Sequence, residues 1–365
     1  MDVDIHHPDV SIPKQWNKFL LNTRNKQRLC EFLSEQLSLM AEAYLSPGHQ
    51  LVIEGGFKNK CLSVSIMKDK RKVLPDLVSD QEEADTRLLL HVKHAADENH
   101  QRIIVHSPDT DVFLLCVAHF STIKCNELWF HKGTKDKHRY IPCHDVSKEI
   151  GHTVCKAVLA LHAITGCDST SCFSGIGKIK GWKLLLQSST IQDIFGNFGK
   201  STVINQQSLE EAESVVCQLY TSDKKAGMNA NDVRHWLFCQ KYKQIEELPP
   251  TTDSLHLHLK RANYQTFIWR QALVGQQSIP DPEGNGWIIK NDSIAPVLMT
   301  KEAAPKGLME LIACRCKASA CQTNRCTCKA KALPCTQACL CMADEGCRNQ
   351  TTSSHEYHES DDSED

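Results

Sequence analysis

The sequence predicts an α/β fold, a mostly parallel sheet with flanking helices, followed by a small cysteine-ligated zinc module. Short apolar runs of strand length alternate with helix-period segments between residues 51 and 187, the pattern of strands joined by helical crossovers. Nine of the 19 cysteines lie between Cys314 and Cys347, at spacings that suit metal rather than a packed core. Hydrophobic residues make up 41% of 365 residues, enough for at least one sizeable core.

Residues 15–45 read as a helix, because Leu29, Phe32, Leu33, Leu37 and Met40 recur at helical spacing and form a core-facing stripe. LVIE (51–54) and LSVSI (62–66) read as strands joined by a hairpin-like GGFKNK connection. Residues 81–98 form a helix, IIVH (103–106) a buried strand ending at SPDTD, and a short helix starts near Val112. ELWF (127–130) is a further strand; residues 152–165 form an apolar helix stopped by Gly166, and 178–187 form another after a GIGK turn. Residues 201–245 are helical and charged. Pro and Gly punctuate 246–312 (LPPTTD, IPDPEGNGW), which reads as a connector with some order, in which Trp269 and Trp287 need burial.

The formal net charge of −2 hides an asymmetry. Cys314–Asn349 holds six Arg or Lys against two acids, whereas Glu356–Asp365 holds six acids and no base. A basic module followed by an acidic tail points to an anionic partner for the module. No N-terminal run resembles a signal peptide, and no stretch reaches the roughly 20 apolar residues of a membrane helix. The ten cysteines before Cys314 follow no regular spacing, so they read as reduced thiols of the cytosol or nucleus.

The remaining nine read C-x-C-x4-C-x4-C-x-C-x6-C-x3-C-x-C-x5-C: Cys314, Cys316, Cys321, Cys326, Cys328, Cys335, Cys339, Cys341 and Cys347. Structural zinc takes four thiolates in a tetrahedron, so three Zn2+ ions need twelve ligand positions, which nine thiolates supply if three of them bridge. Between them stand mostly Arg, Lys, Thr, Ala and Gln, leaving metal to supply the folding energy. CRCKASACQTNRCTCKAKALPCTQACLC resembles one unit of the tesmin-type CXC domain. That resemblance implies three structural zincs and DNA binding, with Arg315, Lys317, Arg325, Lys329 and Lys331 placed to neutralise phosphates.

Three acidic motifs lie upstream: Glu82, Glu83 and Asp85 in EEADTR, Asp109 and Asp111 in SPDTD, and Asp168 in HAITGCDSTS. Acids at the C-terminal ends of parallel strands face one crevice, where clustered carboxylates hold Mg2+ or Mn2+ for phosphodiester cleavage. Singly, each is more often a turn residue or helix cap. Their order, with Gly175-Ile176-Gly177-Lys178 following, resembles the PIN-like and flap-endonuclease superfamily over residues 80–187, and most of all its mobile-element-derived members that also carry a C-terminal CXC module. The resemblance implies that Glu83, Asp85, Asp109, Asp111 and Asp168 bind catalytic metal. It also implies that Gly175, Gly177 and Lys178 form a helix–hairpin–helix turn gripping a DNA phosphate.

The family's first strand and its acid have no counterpart here: Asp2, Asp4 and Asp9 sit in no apolar run, and Glu54 is the one substitute. The organisation expected is thus a partial PIN-like domain (1–245), a connector (246–312), a CXC zinc domain (313–349) and an acidic disordered tail (350–365). Two functions follow: a nuclear, DNA-binding metal-dependent phosphodiesterase, or a catalytically inactive DNA-binding or chromatin adaptor. His131, His138, His144 and His152 with Cys143 fit no common zinc spacing and read as loop residues. No P-loop, G-x-S-x-G or H-E-x-x-H motif occurs.

Overall fold

Helix α1 (Trp16–Leu20) and the long α2 (Thr23–Tyr44) open the chain, with the Asn22 side chain accepting the Arg24 N–H at 3.0 Å to cap α2. The computed structural model describes residues 3–5, 7–11, 14–59, 62–133, 137–221, 228–240, 245–291, 293–301, 313–316, 320–331, 333–336, 339–343 and 346–349. The apolar stripe of α2 does not all face inward: Leu33, Leu37 and Met40 are exposed, Leu29 and Phe32 are half-buried, and α2 buries Asn25, Ser38 and Ala41.

Strands β1 (Leu51–Glu54), β2 (Ser63–Met67) and β3 (Lys70–Val73) form an antiparallel meander with Leu51 opposite Ile66 and Val64 opposite Val73. A second sheet holds β4 (Arg102–His106), β5 (Glu127–Lys132) and β6 (Arg139–Pro142) in that order. Here β4 and β5 run parallel, joined by helix α4 (Thr110–His119), while β6 returns antiparallel to β5. The expectation of a mostly parallel sheet is therefore corrected: one parallel pair sits among small antiparallel ones. The cause is connection length, since parallel pairing needs a crossover, and the links into β2, β3 and β6 are short.

Helix α3 (Ala84–Asp97) precedes β4, and α5 (Cys143–Thr165) follows β6 with a break at Gly151. Almost every residue of α5 from Val154 to Thr165 is buried, as expected of a helix surrounded by others. Against it pack α6 (Lys178–Gln187), α7 (Ser189–Asn197) and α10 (Thr252–Arg270), and α8 (Gln206–Tyr220) and α9 (Ala230–Cys239) pack in turn on these. Leu115, Leu128, Phe130, Ile164, Leu185, Leu255 and Leu259 are fully buried in the shared core.

Residues 246–298, expected as a connector, instead belong to the first of two compact units, Met1–Leu298 and Met299–Asp365. Their main element is α10, whose Leu255, Leu259, Ala262 and Trp269 enter the core. Arg261 donates to the Gly286 and Val297 carbonyls and ties the hairpin of β7 (Trp287–Lys290) and β8 (Ser293–Pro296) to α10. In the second unit the described structure is a cysteine cluster with one short helix, α11 (Thr327–Ala330). Residues 302–312, Lys317 and the acidic tail 350–365 lie outside the described residues. None of the described helices is long and apolar enough to cross a membrane.

Candidate functional site: a carboxylate cluster and a cysteine cluster

Asp109 follows β4 and caps α4; its Oδ1 accepts the Asp111 N–H at 2.9 Å, and its own N–H donates to Ser107 Oγ at 3.0 Å. Asp111 stands in the first turn of α4 and Asp85 in the first turn of α3. Two helix N-termini thus bring their acids to one point, where the positive ends of the helix dipoles offset part of the mutual repulsion. Carboxylate oxygens of Asp85, Asp109 and Asp111 lie within 4.8 Å of one another.

Glu83 and Asp168 stand outside that triad but act on it electrostatically. Burial, together with Asp109, Asp111, Glu83 and Asp168, pushes the Asp85 carboxyl up to about 6. Burial also raises Glu83, against the opposing effect of two donors: Gln265 Nε2 at 2.9 Å and Trp269 Nε1 at 3.2 Å. Both donors come from α10, and Ser169 Oγ holds the Gln265 amide by donating to its Oε1 at 2.8 Å. The turn carrying Asp168 is closed by Cys167 and Thr170, whose backbones bond each other, and by Thr170 Oγ1 donating to the Ala163 carbonyl at 2.6 Å. Glu83, Ser169, Tyr264, Gln265 and Trp287 line a cleft of about 610 Å³ beside the acids.

Asp111 has a buried partner of its own. His162 Nε2 lies 2.6 Å from Asp111 Oδ1, with the imidazole only 3% exposed. Lys178 Nζ lies 2.9 Å from His162 Nδ1, so its side chain reaches into this network from the first residue of α6. Gly175 has φ of +69° and Gly177 caps α6. Glu54, the substitute for a first-strand acid, pairs with His91 at 2.6 Å and does not join the triad.

The arrangement suits a hard divalent cation, which takes oxygen ligands from several carboxylates. Sequence reasoning missed Gln265, Trp269 and His162 as members of the site. The first two belong to a stretch that reads as a connector, although the need to bury Trp269 is met: it is 3% exposed. His162 opens the HAITGCDSTS motif, but it lies in an apolar helix and the motif assigns its role to Asp168. Of the other histidines, His144 is buried, its Nδ1 3.0 Å from the Leu128 carbonyl, while His131 lies against His106, their Nδ1 atoms 2.6 Å apart, and against His138, ring centroids 5.7 Å apart; among the described residues they form no metal-compatible group.

In the second unit, none of the nine cysteines between Cys314 and Cys347 is in a disulfide, and all fall into metal-compatible quartets. These are Cys314, Cys326, Cys328, Cys335; Cys314, Cys335, Cys339, Cys341; Cys314, Cys316, Cys321, Cys326; and Cys321, Cys335, Cys341, Cys347. Tetrahedral zinc with Zn–S near 2.3 Å places its sulfurs about 3.8 Å apart. The Sγ separations match: 3.8 Å for Cys314–Cys321, 3.8 Å for Cys314–Cys341, 3.7 Å for Cys326–Cys335 and 3.5 Å for Cys328–Cys339. The cluster is compatible with zinc. Arg315 and Arg325 are exposed at its surface, and Lys329 is exposed but donates to the Gln322 carbonyl.

Comparison with known proteins adds no assignment: no family model, no curated protein and no solved structure matches the chain.

Proposed function

We propose that this chain is a nuclear DNA-binding protein whose first unit is a divalent-metal-dependent phosphodiesterase of PIN-like, flap-endonuclease-like type. The observation that carries the reading is the convergence of Asp85, Asp109 and Asp111 within 4.8 Å, with Glu83 and Asp168 adding their charge. The neighbouring acids raise the proton affinity of Asp85, a cost that a bound cation would offset. In this reading Glu83, Asp85, Asp109, Asp111 and Asp168 hold Mg2+ or Mn2+, which would activate water and stabilise the leaving oxygen of a phosphodiester. The cleft beside Glu83 admits the strand, and the Gly175–Lys178 turn at the N-terminus of α6 faces a backbone phosphate.

The cysteine unit holds three zincs on nine thiolates; the overlap of the quartets, with Cys314 and Cys335 each in three of them, supports thiolates shared between metals. Its exposed Arg315 and Arg325, with Lys317 and Lys329, neutralise DNA phosphates. The test is Mg2+-dependent cleavage of branched DNA by wild type and Asp109→Asn. Cleavage by wild type that falls at least about 100-fold in the variant supports the enzyme.

A second reading is a catalytically inactive DNA-binding or chromatin adaptor. It is favoured by Glu54, which pairs with His91 instead of completing the acidic cluster. DNA binding without cleavage by wild type would establish it.

A further inference from the structure

His162 is the buried polar group at this site that the motif-based reading leaves without a role. Its ring stands between Asp111 and Lys178 and against Trp269, whose ring centroid is 5.7 Å away. Lys178 Nζ is 2.9 Å from His162 Nδ1 and 3.3 Å from Nε2. An ammonium has three donors and no acceptor. It lies near both ring nitrogens and so does not choose between them, whereas an ionised carboxylate only accepts, which places a ring proton on Nε2, 2.6 Å from Asp111 Oδ1. His162 thus donates to Asp111, with the Lys178 ammonium against the imidazole. Oδ1 is fixed by this bond, and Oδ2 is left for a cation.

We infer that His162 is a positioning residue of the divalent-metal site, orienting the Asp111 carboxylate, and that Lys178 supports the His162 ring. The inference rests on reading the acids as metal ligands. It changes the role of Lys178: its side chain belongs to the metal site, and any phosphate contact at the GIGK turn falls to the backbone of Gly175–Gly177. Partners that orient a ligating group raise metal affinity without touching the ion, and their loss costs about 10–100-fold.

The test is a Mn2+ titration of the full chain, followed by the electron paramagnetic resonance signal of free Mn2+. His162→Ala is expected to weaken binding about 10–100-fold. His162→Gln, whose side-chain amide can still donate to Asp111, is expected to recover most of that loss. Lys178→Met, an exposed substitution that should not affect folding, is expected to weaken binding by less than His162→Ala. Nitrogen-15 spectra of histidine-labelled wild type, with His162 identified by its absence in His162→Gln, should show the proton on Nε2.

An Nε2 that carries no proton overturns the inference whether or not the alanine variant folds. Mn2+ binding by wild type that is unchanged in a folded His162→Ala protein overturns it alone and leaves the metal reading standing. No Mn2+ binding by wild type overturns both.

Discussion

At Gly166 the backbone leaves α5 with φ of 111°, a conformation that residues with a Cβ rarely adopt. A Cβ there would lie 2.7 Å from Cys172 Cβ and 2.8 Å from its Cα, so two segments of the same loop would have to part. That close approach lets the chain reverse immediately after α5 and present Asp168 two residues later. Gly166→Ala is expected to destabilise the first unit by about 1–3 kcal/mol, through strain and the displaced loop. Asp168→Asn removes the charge without the strain and relieves repulsion on Glu83 and Asp85, so it is expected to leave stability unchanged or raise it. Urea denaturation of both variants checks the pair; an alanine variant as stable as wild type would show that the turn tolerates a side chain. This part of the site was readable from sequence, because a helix stop, an acid and a glycine turn each have a local signature. Gln265 and Trp269 were not, because what makes them part of the site is the carboxylate they meet, 182 and 186 residues away.

Helix α10 explains why the element level was harder to read than the motifs. Its buried positions include His258, Arg261, Asn263, Gln265 and Thr266, so the apolar periodicity that signals a core helix is broken by polar residues. Each makes specific bonds: Asn263 accepts the Gly199 N–H and donates to the Ser201 and Thr202 carbonyls, and Thr266 donates to the Ala262 carbonyl. Burial of such groups is tolerable because they are satisfied. The α2 stripe gives the converse lesson, since helical spacing of Leu33, Leu37 and Met40 fixed the helix but not the direction of its face.

His258 makes the polar packing of α10 measurable. Its Nε2 lies 2.9 Å from the Ile164 carbonyl at the end of α5. Burial, aided by the Arg261 guanidinium and opposed by that hydrogen bond, lowers it from 6.5 to about 4. The folded state therefore resists a proton that the unfolded chain accepts. The stability associated with the neutral ring is full above pH 6.5 and is lost as pH falls towards 4, by about 3 kcal/mol in all. His258→Gln should flatten the stability-versus-pH curve in that window. Groups of opposite sign, such as Asp85, are common to both proteins and cancel in the difference. Equal slopes for wild type and variant in urea titrations would show that His258 is not held neutral.

The whole molecule divides into units held together by different chemistry. The first has apolar clusters built from helices, two three-stranded sheets and a hairpin, and needs no metal to explain its packing. In the second, the buried positions among the described residues are almost entirely cysteines, and the one named helix is four residues long. Thiols about 3.8 Å apart repel as thiolates and gain little as neutral groups, so a bound cation has to supply the attraction. Removing metal should therefore act on one unit and spare the other. Purified chain is expected to contain three zinc ions by atomic emission, and a strong chelator at neutral pH should release them. Release should abolish protection of the nine thiols from alkylation, while the thermal transition of the first unit stays within about 2 °C of its starting value. Two zincs per chain would mean that no thiolate set bridges as nine ligands require. Full alkylation of the cysteines in chain that still retains its zinc would show that the cluster is not where the metal is bound.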